Sequence, residues 1–587
     1  MNNTNNSPDT GTIRINPSGF GFYTSNQADP LHGLTDRKES IYIGSALLKN
    51  IYDGDTVSVE KIKNNITKIT VLTRSRQSYI GSVGANGKSI TMDPGLGIGL
   101  FTATTKQTPS TTVRFTLNGK QATVTKVIGV DYSDADIYER IMNRFTLPCE
   151  PVTLHANALQ SLLKTVNKKA RHSRRNLRNL VTVTIDGEET KDIDDALSGE
   201  LCPDGSIRIW AHIADVAEYI KEDSYLDLEC SKNSTSTYSS YGVRHMLPEQ
   251  LASDAISLVQ GKDRFVMCVE LIISPTGDVS ATDVYPATIR SNRRLNYSDI
   301  TAIINDTHGK LDPAVVELVR ILRTGAQRLG VTRDARAGID IFRDEPSSDS
   351  EAHSLIERIM VAANESIARW VKVRNIPVPR RAHATFSESS VQVIEKALND
   401  LNITAHLTSP LAPVALAAAL HQVPRGHKLN SIKKVISKEL GRAYYTLDDA
   451  EHFGLGSEDY LHFTSPIRRY PDLLVHRLIK KYLAGQRVFD KEAEKLSIKL
   501  GAINRTFNEA SSAENALNAA CAINALAIGE THWGVVVSSR GSESKIFLEG
   551  TSVLATLNSK ADIRAKVKVR VRSCNAHTLE VTTSLLN

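Results

Sequence analysis

The sequence predicts a multidomain chain of two small β-barrels, one large α+β domain and a final small β-barrel. Three observations point there. At roughly 100–200 residues per domain, the 587 residues allow about three to six domains. Short β-like runs broken by Gly, Asn and Asp occupy both ends of the chain, whereas the long middle mixes strand-like and helix-like stretches. Hydrophobic residues make up 41% and charged residues 23%, enough apolar material for several cores, which excludes global disorder.

Other classes fall away on the same arithmetic. Thirty-four Gly and 20 Pro exclude a collagen-like or low-complexity chain. No apolar run approaches the roughly 20 residues of a membrane span. The opening Met-Asn-Asn-Thr-Asn-Asn-Ser lacks the basic and apolar regions of a secretory signal. Cys149, Cys202, Cys230, Cys268, Cys521 and Cys574 form no Cys-x-x-Cys pair, so reduced thiols in a cytoplasmic protein are expected. A net charge of +6 permits a polyanionic partner without requiring one.

Taken in order, residues 1–10 are polar and expected to be disordered. A first barrel over 11–75 is read from strands at 12–15, 19–23, 41–43 and 56–59. Phe20 and Phe22 flank Gly21 and share one strand face. If exposed they form a stacking platform for bases; if buried they are core, and the residues alone leave both open. A second barrel over 76–148 rests on runs at 89–92 and 112–115. A basic linker over 149–179 carries Lys168, Lys169, Arg171, Arg174 and Arg175, either a solvated helix face or phosphate contacts. The large domain spans 180–528, with strands at 181–185, 207–210 and 265–273. Its helices are expected at 355–371, 413–421, 471–482 and 491–528. The last barrel covers 529–587.

One block dominates the chemistry. Thr184-Ile-Asp-Gly-Glu-Glu-Thr-Lys-Asp-Ile-Asp-Asp-Ala196 puts Asp186, Asp192, Asp194 and Asp195 within ten residues, directly after an apolar run. On a strand, Asp192 and Asp194 would share a face about 6.6 Å apart. Converging carboxylates repel unless a cation intervenes, and oxygen-only ligands suit Mg²⁺ or Mn²⁺. An EF-hand does not fit the spacing, and a solvated acidic turn sits poorly beside Val181–Ile185 and Ala196-Leu197.

A second motif is Phe463-Thr-Ser-Pro-Ile-Arg-Arg-Tyr-Pro-Asp472. Pro471 and Asp472 suit the first turn of a helix, leaving Arg468 and Arg469 in the loop before it. There a guanidinium can clamp a phosphate or pair with an acid. Glu514 lies among Ala510, Leu517 and Cys521 at helical spacing, so it faces inward and needs a partner, which a buried ion pair would also supply.

These residues resemble the RNase II / RNase R family of 3′→5′ exoribonucleases. The resemblance runs over nearly the whole chain: Gly19-Phe-Gly-Phe22, Thr184 to Ala196, Ile209-Trp-Ala-His-Ile-Ala-Asp-Val216, Met246-Leu-Pro-Glu249 and Phe463 to Tyr470. It implies OB-like cold-shock barrels at the N-terminus, an RNase II-type α+β catalytic domain, and a C-terminal OB-like RNA-binding barrel. It further implies single-stranded RNA entering a Mg²⁺ site, where Mn²⁺ may substitute. Asp186, Asp192 and Asp195 fall on the family's metal-side aspartates, and Asp194 on the one whose loss most damages cleavage. Arg468 matches the phosphate-binding arginine and Glu514 a glutamate near the RNA 3′ end. Tyr238 matches the tyrosine that packs on the terminal nucleotide. Tyr297 and Glu357 align with residues that favour ribose. The family's second base clamp falls at Ile341 or at Phe342 on the opposite face; Phe20 and Phe22 become RNA contacts.

The implied activity is processive hydrolysis of RNA to nucleoside 5′-monophosphates and a short end product by a monomer. Two rivals are a catalytically inactive RNA-binding regulator of the same fold and a nuclease acting chiefly on DNA. The intact aspartates and Arg468 count against the first, Tyr297 and Glu357 against the second.

Overall fold

A computed structural model describes residues 9–26, 40–62, 65–170, 174–336, 350–424, 426–486, 489–551 and 553–586. The chain folds as two compact units. One comprises Met1–Glu150, Thr237–Val243 and Asn508–Asn587; the other comprises Pro151–Ser236 and Arg244–Phe507.

In the first unit, β1 (Asp9–Ile15), β2 (Gly21–Ser25), β3 (Ile41–Ile43), β4 (Thr56–Ile62) and β5 (Asn65–Thr73) form one sheet. Its order is β3-β2-β1-β4-β5, and among the described residues it is an open sheet rather than the closed barrel expected. Period-2 alternation sets its inner face: Ile13, Tyr23, Ile43, Val57 and Val59 are buried while Arg14, Phe22, Tyr42 and Ser58 are not. The β1–β2 turn closes through Gly19 at φ 87°, a conformation that glycine adopts without strain. β1 starts at Asp9, within the stretch expected to be disordered.

β6 (Tyr79–Val83), β7 (Ser89–Met92), β8 (Leu100–Ala103), β9 (Thr111–Asn118) and β10 (Gln121–Val130) form a closed barrel in the order β10-β8-β7-β6-β9. Its core holds Ile80, Ile90, Phe101, Val113 and Phe115. Helix α1 (Asp134–Arg144) follows, its Ser133 cap accepting the Asp136 N–H at 3.3 Å. Arg144 clamps the buried Asp93 at 2.8 and 2.7 Å, tying the helix to the barrel.

In the second unit, α2 (Ala156–Ala170) occupies the stretch expected to be a linker. Its Leu159, Leu162, Leu163 and Val166 join the main core. Arg174 is a structural residue, paired at 2.5 and 2.7 Å with Asp215 and Glu218, and Arg175 lies 3.5 Å over the Tyr285 ring. A seven-stranded sheet follows, built from β11 (Arg175–Asn176), β12 (Val183–Ile185), β13 (Asp195–Leu201) and β14 (Ile207–Ala214). After α3 (Val216–Tyr219), α4 (Tyr225–Asn233) and the short strands β15 (Thr237–Ser239) and β16 (Gly242–Arg244), which fall almost wholly in the first unit, it continues with β17 (Asp263–Ile273), β18 (Val279–Arg290) and β19 (Arg293–Leu295). The order is β11-β18-β17-β14-β13-β12-β19. One face is covered by α5 (Tyr297–Ile304), α6 (Pro313–Ala335) and α7 (Ser350–Val373).

The unit continues through β20 (Arg380–Ala382), α8 (Glu388–Asn399), α9 (Pro413–His421), α10 (His427–Glu439) and β21 (Tyr444–Thr446) to α11 (Tyr470–Leu483). α12 (Phe489–Asn524) then contributes Leu496, Leu500 and Ile503 to this core and its second half to the first unit. It ends at Asn524, short of the expected 528. The last strands, β22 (Thr531–Arg540), β23 (Glu543–Leu548), β24 (Leu554–Leu557), β25 (Lys566–Asn575) and β26 (Glu580–Leu585), close a barrel in the order β22-β23-β24-β26-β25. No helix among the described residues is long and apolar enough to cross a membrane.

Candidate active site

The aspartate block gains its geometry from two neighbouring strands. β12 and β13 are antiparallel, with Val183 opposite Leu197. Carrying that register on brings Ile185 opposite Asp195, so Asp186 and Asp194 lie at the mouth of the pair. Asp192 and Asp194 are therefore in the connecting loop, not on a strand face as the spacing suggested. Arg294 pins that loop by donating to the Gly187, Glu188 and Thr190 carbonyls at 2.9, 2.8 and 2.7 Å. Ser257 fixes its other end, accepting from Ile193 N–H and donating to the Lys191 carbonyl.

Asp194 is 5% exposed and Asp192 8%. Burial raises the Asp186 carboxyl above the usual carboxylate range, and the charges of Asp195 and Asp192 add to the rise. Burial likewise raises Asp195, against the pull of Arg468 and Arg469. Asp194 is driven up by burial too, with Arg468 and the Ile467 N–H opposing and Asp192 and Asp195 reinforcing. Asp186 and Asp194 thus each feel the charges of Asp192 and Asp195.

Two oxygens in this cluster, Asp186 Oδ2 and Asp194 Oδ2, are buried and accept no hydrogen bond. Unsatisfied buried carboxylate oxygens beside mutually repelling charges suit a hard divalent cation. Among the described residues, no three His, Cys, Asp or Glu side chains are already gathered at coordination distance. The donor chemistry fits such an ion, while a finished cage is not present.

The two arginines separate. Arg469 donates to both Asp472 oxygens, at 2.9 and 2.8 Å, and holds the start of α11. The Arg468 side chain is 43% exposed, with Nε 3.7 Å from Asp194 Oδ2 and Nη2 donating to Ser465 Oγ at 3.1 Å. Its carbonyl accepts from Ser236 N–H and Thr235 Oγ1 at 2.9 and 3.0 Å, so its backbone is fixed while its guanidinium stays available.

Tyr297 opens α5, whose Asn296–Asp299 capping box fixes the helix start. Its ring stacks on His353 at 3.7 Å, and its hydroxyl is raised by burial and then by Asp186 and Asp195. One turn along α7 from His353, Glu357 pairs with Arg333 at 2.6 Å. Within the first unit, Tyr238 N–H donates to Glu514 Oε2 at 3.4 Å, which joins two residues far apart in sequence. Phe20 and Phe22 form an edge contact at 5.6 Å, and Phe22 is 38% exposed; Phe20 precedes β2 rather than lying within it. Ile341 and Phe342 lie outside the described residues.

Two neighbours escaped the sequence reading. Tyr42, 63% exposed, completes the aromatic patch at 5.5 Å from Phe20 and 6.2 Å from Phe22. His245 places Nδ1 3.7 Å from Asp192 Oδ2; it directly precedes Met246-Leu-Pro-Glu249, which was the available signal.

An open five-stranded sheet, two closed barrels and a mixed α+β domain holding buried aspartates beside an arginine define the class. The RNB domain matches residues 174–485, more than half of the chain, and the chain belongs to the RNB-domain family. It is 36% identical over 395 residues to ribonuclease R of Thermotoga maritima, covering 63% of this chain and 55% of that protein. The chain thus spans about half the length of that curated relative. Its fold matches Mycoplasma genitalium RNase R in complex with ribose methylated single-stranded RNA at a TM-score of 0.84 and 22% identity. That match covers 98% of this chain and 100% of the other. Yeast Ssd1, a pseudonuclease, matches at TM-score 0.69 and 14% identity over 97% of this chain and 82% of its own. The fold alone therefore does not separate a nuclease from a pseudonuclease.

Proposed function

We propose that this chain is a Mg²⁺-dependent 3′→5′ exoribonuclease that degrades single-stranded RNA processively to nucleoside 5′-monophosphates and a short end product. The observation that carries the reading is the pairing of a buried, donor-free Asp194 Oδ2 with a partly exposed Arg468 guanidinium whose hydrogen bond to Ser465 Oγ leaves further N–H groups for a phosphate. A chain that only bound RNA would gain nothing from burying mutually repelling carboxylates, whereas a hydrolase needs them.

Asp186, Asp192 and Asp195 would hold the ion, with Mn²⁺ an acceptable substitute. When bound, it neutralises developing phosphate charge and lowers the pKa of a water. The chain's own groups do the positioning. Arg468 offers a planar fork to a phosphodiester, fixed in place by the hydrogen bonds at its carbonyl. Asp194, held through Oδ1 by the Ile467 N–H, orients the arginine through Oδ2. Tyr238 supplies a face for the terminal base, and Glu514 fixes the strand that carries it. Tyr297 and Glu357 read the ribose hydroxyl. Phe20, Phe22 and Tyr42 hold upstream RNA, and a monomer in the cytoplasm suffices.

The test is digestion of 5′-labelled RNA with and without a paired 5′ section, in Mg²⁺ and in EDTA. A ladder shortening from the 3′ end only with metal supports the reading. Binding without any shortening supports the inactive regulator.

A further inference from the structure

A cavity of about 400 Å³ lies among α6, α7 and the β17–β18 turn, lined by Arg333, Arg336, Arg358, Arg369 and Glu365 among others. It is separate from the aspartate cluster yet linked to it: Tyr297 stacks on His353, and the Glu357–Arg333 pair one turn on borders the cavity. From His353 to Glu365, α7 rises roughly 18 Å.

Among the described residues the cavity's lining carries four arginines against two carboxylates, Asp278 and Glu365. Arg333 pairs with Glu357 and Arg336 with Glu365, at 2.6 and 3.3 Å. Arg358 and Arg369 have no carboxylate partner among the described residues, Arg369 donating only to Ser366 Oγ at 3.3 Å. The room for Arg358 is built in. A Cβ at Gly330, inside α6, would lie 2.5 Å from its Cζ and Nη1, and glycine in a helix interior is otherwise unfavourable. Glu365 adds a second demand: it is 4% exposed, and its Oε1 is buried without a hydrogen-bond donor.

The two guanidiniums without a carboxylate partner among the described residues, in a lining where arginines outnumber carboxylates, match the dianion of a phosphate monoester better than the single charge of each RNA diester. An orphaned carboxylate oxygen nearby calls for a hydroxyl or N–H on the same ligand. The volume is within the range of small-ligand sites. We propose that this cavity binds a nucleoside 5′-monophosphate, its phosphate at Arg358 and Arg369 and a ribose hydroxyl or base N–H at Glu365 Oε1. Choosing a mononucleotide rests on the exonuclease reading, whose product it is.

The experiment is calorimetric titration of adenosine 5′-monophosphate into the full chain in EDTA, so that no turnover is needed. One site is expected, weakened about tenfold or more by Arg358→Gln and by Arg369→Gln, and changed less than about twofold by Arg468→Gln. Inorganic phosphate and adenosine should each bind about tenfold more weakly than the nucleotide. Arg369 is exposed, so its variant keeps the test open if Arg358→Gln folds poorly. Absence of binding at about 10 mM, phosphate binding as tightly as the nucleotide, or loss on Arg468→Gln but not on Arg358→Gln would each overturn the proposal. Arg358-dependent binding by a chain that does not cleave RNA supports the cavity and sinks the exonuclease reading. Cleavage without such binding overturns the cavity alone.

Discussion

Asp194 accepts the Ile467 N–H on Oδ1 at 2.7 Å and leaves Oδ2 3.7 Å from Arg468 Nε. Both contacts come from consecutive residues of one loop, which anchors the carboxylate through its backbone and carries the guanidinium beside it. Ser236 and Thr235 hold the same loop from the other side at the Arg468 carbonyl. The pair is thereby preorganised before any ligand arrives.

Asp194→Asn should leave RNA affinity within a few-fold and reduce cleavage by orders of magnitude. The amide oxygen keeps the Ile467 hydrogen bond, while the charge facing Arg468 is lost. Stability in EDTA should not fall, because a buried carboxylate among like charges is removed. Near-parental turnover by a folded variant would exclude Asp194 from the chemistry.

Arg468 and Arg469, adjacent in sequence, should fail in opposite ways. Arg468→Lys should keep thermal stability yet cut turnover severely, since an ammonium cannot reproduce a bidentate fork. Arg469→Ala leaves the fully buried Asp472 uncompensated and should cost about 3–5 kcal/mol of stability. Chemical denaturation beside single-turnover cleavage separates the two. Equal turnover for Arg468→Lys and the parent would remove the clamp role.

His212 predicts an acid-side loss of stability. It is fully buried, its Nε2 is 3.0 Å from Ser198 Oγ, and burial lowers its pKa to about 3. The folded state therefore keeps it neutral, and the unfolded chain takes up the proton first as pH falls below about 6.5. Its contribution is complete above that pH and is lost progressively down to about 3. Between pH 7 and pH 5 the loss is about 2 kcal/mol. Denaturant melts of His212→Gln should show a pH 7-to-5 decline smaller by about that amount. An unchanged decline would mean that the imidazole is protonated in the fold.

Tyr42 and Tyr23 test the aromatic patch against the core beneath it. Tyr42→Ala should weaken binding of single-stranded RNA by about 1–3 kcal/mol per stacked base, with stability nearly unchanged at a 63% exposed site. Tyr23→Ala, at 0% exposure, should cost about 3–5 kcal/mol of stability. Fluorescence anisotropy with labelled RNA decides; unaltered affinity for Tyr42→Ala would make the patch mere surface.

The sequence displayed the aspartate block because its members are contiguous, and the helix at 413–421 because Pro413 marks its start and apolar residues fill it. Residue chemistry alone left Arg468 and Arg469 equivalent and only the family resemblance chose Arg468; the fold adds the physical reason, since Asp472 turns back onto Arg469. It misplaced Asp192 and Asp194 because period-2 reasoning presumes a strand, whereas β13 begins only at Asp195. Tyr42 was invisible because a cross-strand pairing, Phe22 opposite Tyr42, brings it to the patch. The basic run was read as a helix face or phosphate contacts within a linker, and α2 is a helix there; what the charges did not show is the Leu159, Leu162, Leu163 and Val166 stripe that packs it onto the core.

Tyr238 and Glu514 carry the last prediction. The 3.4 Å hydrogen bond from Tyr238 N–H to Glu514 Oε2 is long, so the tyrosine's strand is steered rather than locked. Loss of one stacked base contact is worth about 1–3 kcal/mol, which matters most when only a few nucleotides remain bound. Tyr238→Ala should therefore release longer end products while initial degradation of long RNA stays close to parental. Glu514→Gln keeps an oxygen acceptor and should leave end-product length nearly unchanged; Glu514→Ala removes it and should shift the products in the direction of Tyr238→Ala. Denaturing gels of 5′-labelled RNA give the distribution directly. Identical end products from Tyr238→Ala and the parent would show that the terminal base is held elsewhere.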